Sequence, residues 1–324
     1  MRRRSLLAAL AAGSLVLAAC GGDDDTAAPV TEAPPAEPDT EPDTEPDTEA
    51  DPDAEPDDGD PAEPDESADG TGNECTAGNT LTEGVFTPAT GEPAFFQYVL
   101  DETPESGEGF EAAVVAAVAR EMGFSDDNVQ WARVGFNESI SPGAKEFDVN
   151  IQQFSITEER AEVVTFSDPY YSSNQAIVAL VGSAADGATT LEDLRDIKFG
   201  AQVGTTSLEF ITDVIQPNQE PFVYDDNTAA KSALEADQID AVVLDLPTAF
   251  FVAAVEFENA DVVAQFPAEA GGTTDDFGML LELGNPLEEC VNAALATLRD
   301  SGELAAITEQ WMADFADAPV IAVD

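Results

Sequence analysis

Arg160 is one of only eight basic residues in a stretch after Cys75 that also carries 45 acidic ones, and it sits in a turn just after an apolar run. A guanidinium in such a place can offer a planar fork of donors to both oxygens of a carboxylate. The plainer use of the same side chain is a surface ion pair with Glu158 or Glu162. Ser155, five residues earlier, can add a hydroxyl or a backbone contact. Thr206 follows a strand-like run and Gly204, at the opening of a helical stretch whose free N–H groups suit an anion. Simple N-capping accounts for Thr206 as well, and both roles can hold together. Asp245 closes the wholly apolar run 241–244. Ligands of open α/β sheets sit beyond the carboxyl ends of strands, so a carboxylate there is placed to hold an ammonium. Capping of the helical segment that starts at Pro247 is the alternative. The chain has no histidine, which removes His-based triads, histidine general bases and most catalytic zinc sites. No cofactor or metal is called for.

Holding these groups in place requires a framework, and the chain from about Asn79 onward supplies one of about 245 residues. Phe110, Val114, Val115, Val118 and Met122 recur at helical spacing, with Gly123 where a helix would stop. Short apolar runs at 147–151, 176–181, 199–203 and 239–244 read as strands. Stretches 206–215, 228–236 and 247–255 read as helices between them. Strands interleaved with helices predict parallel-type α/β sheets with right-handed crossovers. Residues 287–315 read as two helices separated at Gly302. The length suits one large domain or two lobes.

The first 19 residues carry a different kind of signal. Arg2, Arg3 and Arg4 precede a short, Ala-rich apolar run that ends in Leu17-Ala18-Ala19, the pattern of a secretory signal. The next residue is Cys20, which makes the junction look like a bacterial lipobox, with Cys20 lipidated as the mature N-terminus. An ordinary signal peptide with a chance cysteine is the alternative. Residues 20–78 read as an acidic, proline-rich tether. Between Gly21 and Cys75 lie 22 acidic residues and no basic ones, including a repeated Glu-Pro-Asp-Thr at 41–48. Self-repulsion and proline stiffness keep such a segment extended, with a reach on the order of 150 Å. The excess negative charge excludes nucleic acid and an anionic membrane face as partners. No transmembrane span is expected after the signal. Cys75 and Cys290 then remain as an even pair outside the cytoplasm, which favours one bridge. Two free buried thiols are the alternative, since geometry decides.

Five segments follow one another in a recognisable order. They are Gly109-Phe110-Glu111 with the Ala- and Val-rich stretch to Gly123; Phe147-Asp148-Val149-Asn150-Ile151 running through Phe154-Ser155-Ile156-Thr157-Glu158-Glu159-Arg160 to Tyr171; Phe199 to Thr206; Ile239 to Asp245; and Phe277-Gly278-Met279 with the run to Trp311. Over about 79–316 they resemble bacterial solute-binding protein family 3, the receptors of polar amino-acid ABC importers. The resemblance implies an α/β, two-lobed periplasmic-binding-protein fold of type II, two parallel-type sheets joined by a two-strand hinge. Lobe one would combine 79–180 with 267–324, and lobe two would be 181–266, with crossovers near 178–181 and 263–267.

The same resemblance sets Arg160 against the α-carboxylate of an amino acid, with Ser155 and Thr206 beside it and Asp245 on the ammonium. An aromatic from Phe95, Phe96 or Phe136 would cover the ligand side chain, while Tyr170 reads as packing. The chain departs from the family at Gln152 and Gln153, where small residues are common. These bulkier amides argue against an ordinary lysine or histidine specificity and for a polar or unusual ligand, with Gln153 a contact. Alternatively, one of the pair points into the sheet or solvent by strand alternation. The implied function is the lipid-anchored, extracytoplasmic, monomeric binding component of an ABC transporter, delivering a small zwitterion to membrane permease subunits. Two other classes remain open. One is an enzyme on the same fold, a dehydratase or peptidoglycan lyase using a carboxylate such as Glu111 or Glu282. The other is a surface adhesin.

Overall fold

The computed structural model describes residues 70–270, 274–312 and 318–323, all within the unit Glu63–Asp324. The signal segment, Cys20 and most of the expected tether lie outside the described residues. The chain joins the fold earlier than position 79. The N–H groups of Gly72 and Asn73 donate to the carbonyls of Gly123 and Met122 at 3.2 and 2.9 Å. Cys75 is disulfide-bonded to Cys290, with Cα atoms 5.8 Å apart. Residues 70–78 thus belong to the folded body.

From there the chain lays down β1 (Pro88–Thr90), α1 (Phe110–Glu121), β2 (Ala132–Arg133), α2 (Phe136–Ser139), β3 (Val149–Asn150), α3 (Glu158–Ala161) and β4 (Val164–Phe166). The apolar stripe that predicts α1 is its core face, with Phe110, Val114, Val115 and Val118 fully buried. Burying each such side chain is worth about 1.5–3 kcal/mol. Gly123 ends the helix at φ 84°, a left-handed conformation that costs glycine least.

β5 (Tyr171–Ser173) then leads into a second sheet, made of β6 (Gln175–Leu180), β7 (Phe199–Gln202), β8 (Phe222–Tyr224), β9 (Ala241–Asp245) and β10 (Ala260–Gln265). Helices α4 (Thr206–Phe210), α5 (Asn227–Glu235) and α6 (Leu246–Phe251) connect these strands. β11 (Asp275–Phe277) returns the chain to β12 (Leu280–Glu282), and α7 (Leu287–Asp300) and α8 (Glu303–Trp311) follow. Gly302 separates the last two helices as the pattern predicts.

The first sheet has the order β2-β1-β3-β12-β4 and the second β10-β6-β9-β7-β8. Neither is purely parallel. β12 runs antiparallel to β3 and β4, and β6 runs antiparallel to β9 and β10. Each sheet has its own buried core: Phe110, Val118, Leu281 and Leu295 belong to one, and Phe199, Ile211, Val243 and Phe266 to the other. β5 and β11 pair only with each other, Tyr171 opposite Phe277 and Ser173 opposite Asp275. The chain therefore passes between the sheets at this two-stranded ladder.

This arrangement corrects the expected lobe boundaries. Residues 178–181 are not a crossover, because β6 pairs with β9 from Gln175 to Ala179 and so belongs to the second sheet. Ala176, Ile177, Val178 and Ala179 are all fully buried, as an apolar run inside a sheet must be. The first passage lies instead at 171–174. The C-terminal residues also leave lobe one: Val320 bridges Gln265 of β10, and Ile321 is buried with Phe266 and Phe199.

Candidate functional site

A cleft of about 320 Å³ draws its lining from both sheets. Phe95, Phe136, Gln152, Gln153, Ser155 and Arg160 come from the first side. Gln202, Thr206, Ser207, Leu244 and Asp245 come from the second. Gln175, Asp275 and Phe277, at or beside the connecting ladder, complete it.

Arg160 stands in α3, whose first turn is capped by Thr157: its Oγ1 accepts the Arg160 N–H at 3.2 Å. The guanidinium is buried. Nη1 donates to the Ser155 carbonyl at 2.7 Å and Nη2 to the Gly204 carbonyl at 2.8 Å, so the fork joins the two sides of the cleft. Its Cζ lies 5.5 Å from the centre of the Phe136 ring. Burial lowers its proton affinity, while Glu209, Asp275 and Glu159 act in the opposite sense. It remains charged at any physiological pH. No ion pair with Glu158 or Glu162 occurs among the described residues, so the surface-pair alternative is not realised.

Thr206 is the first residue of α4, and the cap is Thr205, whose Oγ1 accepts the Leu208 N–H at 3.2 Å. Capping is therefore not the role of Thr206. Its hydroxyl lies 3.2 Å from Ser155 Oγ and donates to Asp275 Oδ1 at 3.1 Å. Gln175 Nε2 also donates to Asp275, and Ser207 Oγ donates to Gln175 Oε1 at 2.7 Å. A continuous polar chain thus runs from Ser155 through Thr206 and Asp275 to Gln175 and Ser207. Asp275, Gln175 and Tyr98 escape sequence reasoning. Asp275 precedes Phe277-Gly278 by two residues, and its partners are 69 and 100 positions away, so only that motif could have drawn attention to it.

Asp245 fulfils its capping reading and also faces the cleft. It lines the cleft, and its Oδ1 caps α6 by accepting the Thr248 N–H at 3.0 Å. The same oxygen accepts from the Tyr98 hydroxyl at 2.9 Å. Burial raises its pKa above the ordinary aspartate value, and the bonds from Thr248 and Tyr98 pull it back down.

The glutamine pair divides. Gln153 has φ 50°, and its N–H and Nε2 both donate to the carboxylate of Glu111, the first at 2.8 Å. Glu111 also accepts from the Tyr170 hydroxyl, is fully buried and does not line the cleft. Burial pushes its pKa up to about 7. Of the three aromatic candidates, Phe95 and Phe136 line the cleft and Phe96 does not. Phe96 is 47% exposed and stacks on Phe251 with ring centres 5.9 Å apart. The sequence offers two adjacent phenylalanines in a loop, where no strand alternation assigns a face to either. Glu282, the other carboxylate considered for catalysis, lies away from the cleft and accepts the Lys145 N–H at 2.9 Å.

Comparison with known proteins bears on this site. A family model described as bacterial extracellular solute-binding proteins, family 3, matches residues 89–314. The L-cystine-binding protein TcyJ of Escherichia coli (strain K12) is 28% identical over 205 residues, which span 63% of this chain and 73% of that protein. The arginine-binding periplasmic protein of Mannheimia haemolytica is 28% identical over 227 residues, spanning 68% of this chain and 89% of that one. Among solved structures, an ancestral arginine-binding protein bound to arginine is 28% identical with a TM-score of 0.59, covering 71% of this chain and 98% of its own. The chain belongs to bacterial extracellular solute-binding protein family 3 and has the two-lobed fold of its amino-acid-binding members.

Proposed function

We propose that this member of the family is the substrate-binding component of an ABC importer. It captures an amino acid between its two lobes, delivers it to membrane permease subunits, and is held at the outer face of the membrane by a lipid on Cys20. The observation that carries the reading is a buried guanidinium and a carboxylate lining one cleft, Arg160 from the short helix α3 and Asp245 from the end of β9. A free amino acid presents the complementary pair of charges, and burying either of them unpaired is costly. Arg160 takes the α-carboxylate, with the hydroxyls of Ser155 and Thr206 beside it. Asp245 takes the ammonium. Phe95 and Phe136 supply apolar cover, and Gln153 contributes through the loop that Glu111 holds.

A ligand that contacts both sides favours the closed arrangement by the difference in its affinity for the closed and open forms. The β5–β11 ladder is the natural hinge, since it is the only strand pair outside the two sheets among the described residues. The chain acts as a non-catalytic receptor. In support of that, the relatives are named for binding, and neither Glu111 nor Glu282 lines the cleft. A thermal-shift screen against the twenty amino acids tests the proposal. A ligand that binds the folded state alone raises the melting temperature. At least one amino acid should do so in a concentration-dependent way, and a flat response to all twenty contradicts the reading.

A further inference from the structure

We infer that the amino acid taken by this cleft carries a positively charged, donor-rich side chain, a guanidinium or an ammonium, which reverses the expectation against lysine drawn from the two amides, and that Gln152 is the residue that meets it. The inference rests on the reading of the cleft as an amino-acid site and goes on to name the ligand class. Gln152 lines the cleft, and its Oε1 is sealed from solvent with no hydrogen-bond donor among the described residues. A buried acceptor left in this state is costly, and a ligand N–H placed against it recovers the loss. The carboxamide is positioned by shape. It lies across Gly91, where a Cβ would stand 2.2 Å from Nε2 and 2.9 Å from Cδ. Any side chain at position 91 would therefore push the amide away. Gln153 differs in that its own donors are both engaged with Glu111. Of the two glutamines, only Gln152 keeps a buried acceptor without a partner.

Charge gives an independent argument for the same ligand. Besides Arg160, every ionisable side chain lining the cleft is a carboxylate: Asp245 and Asp275 within it, and Glu92, Glu138, Asp225 and Asp226 as exposed groups around it. The α-carboxylate and ammonium of an amino acid cancel each other. Its side chain therefore decides whether the surplus of negative charge is relieved or made worse, and opposite charges interact more strongly in a partly enclosed site than in water. The surrounding surface is acidic too, so its field has the same sign. A cationic side chain that brings several N–H donors satisfies both the field and Gln152 Oε1. An anionic one satisfies neither.

Isothermal titration of the purified protein with L-arginine, L-lysine, L-citrulline, L-glutamine and L-glutamate tests this. Citrulline matches arginine in shape and lacks its charge. Arginine or lysine should bind at least about tenfold tighter than citrulline and glutamine, with glutamate weakest, and the gap should narrow as added salt screens the exposed carboxylates. Gln152→Leu keeps the bulk and removes the acceptor. It should weaken the preferred cationic ligand about tenfold while leaving the melting temperature of the unliganded protein unchanged or higher. Because the ligand series uses the unmodified protein, it stands even if that variant fails to fold. Equal affinity for arginine, lysine and citrulline, tightest binding of glutamate, or a folded Gln152→Leu protein with unaltered affinity overturns the inference and leaves the amino-acid reading standing. Binding of no amino acid at all overturns the reading beneath it.

Discussion

Arg160 and Asp245 line the same cleft, and the chain fixes them by different means. Arg160 rides on one short turn of helix, capped three residues earlier by Thr157, and all the backbone that aims it lies within six positions. Only its contact with Gly204 reaches across the cleft. Asp245 sits at the end of a buried strand, and its carboxylate is divided between a local cap and the Tyr98 hydroxyl 147 positions away. The arginine is thus oriented locally and becomes inter-lobe by contact, whereas the aspartate already binds both sides through Tyr98. The two charges are therefore unequal in what their removal does to the rest of the molecule.

Removing the guanidinium is the strongest way to test that inequality. Arg160→Ala should weaken amino-acid binding by a factor of about 100 or more in calorimetry, since the proposed charge-assisted contact to the ligand carboxylate is lost. It also frees the carbonyls of Ser155 and Gly204, so the melting temperature should fall, while circular dichroism should still report a folded domain. The aspartate should be the milder of the two. Asp245→Asn keeps an oxygen to cap α6 and to accept from Tyr98, and it should cost about tenfold in affinity with little loss of stability. Equal losses for the two variants would break the comparison. Thr206→Val removes one hydroxyl between Ser155 and Asp275 and should cost about three- to tenfold.

Two changes outside the cleft lining test the stability of the fold that carries it. Replacing Cys75 and Cys290 by serine opens a link between residues 215 positions apart and should lower unfolding free energy by about 2–4 kcal/mol in urea titrations. Glu111 gives a pH signature. Its folded pKa, about 7, lies above the ordinary 4.5, so the folded state holds its proton more tightly than the unfolded chain does. The resulting stabilisation is complete below pH 4.5 and is lost as pH rises to 7. Glu111→Gln should flatten that part of the stability profile, as read by melting temperature across pH.

Most of the framework was legible because it obeys short-range rules. The stripe Phe110, Val114, Val115, Val118 specifies α1, and the apolar run before Asp245 specifies β9. Arg160 and Ser155 stand out as candidates for the same reason, and both line the cleft. The failures involve partners distant in the chain. The sequence places the lobe boundary too late because an apolar run such as 176–180 has the same composition whether it crosses between sheets or completes one of them. Asp275 matters through Thr206 and Gln175, and no spacing rule links those three positions. Phe95 and not Phe96 lines the cleft, and a loop gives no periodicity by which to choose between them. The glutamines stand out in the sequence as a departure from the family, but their division follows only from Glu111 and Gly91, 42 and 61 positions upstream of Gln153 and Gln152.

The central claim is that a ligand carboxylate pairs with Arg160 inside a closing cleft. It is tested most directly by measuring two ligands on two proteins: the amino acid giving the largest thermal shift and its decarboxylated amine, each titrated into the unmodified protein and into Arg160→Ala. The account predicts that the unmodified protein prefers the amino acid by a factor of about 100, and that this preference collapses to within a few fold in the variant. An amine that binds the unmodified protein as tightly as the amino acid, or a preference that survives the loss of Arg160, would contradict it.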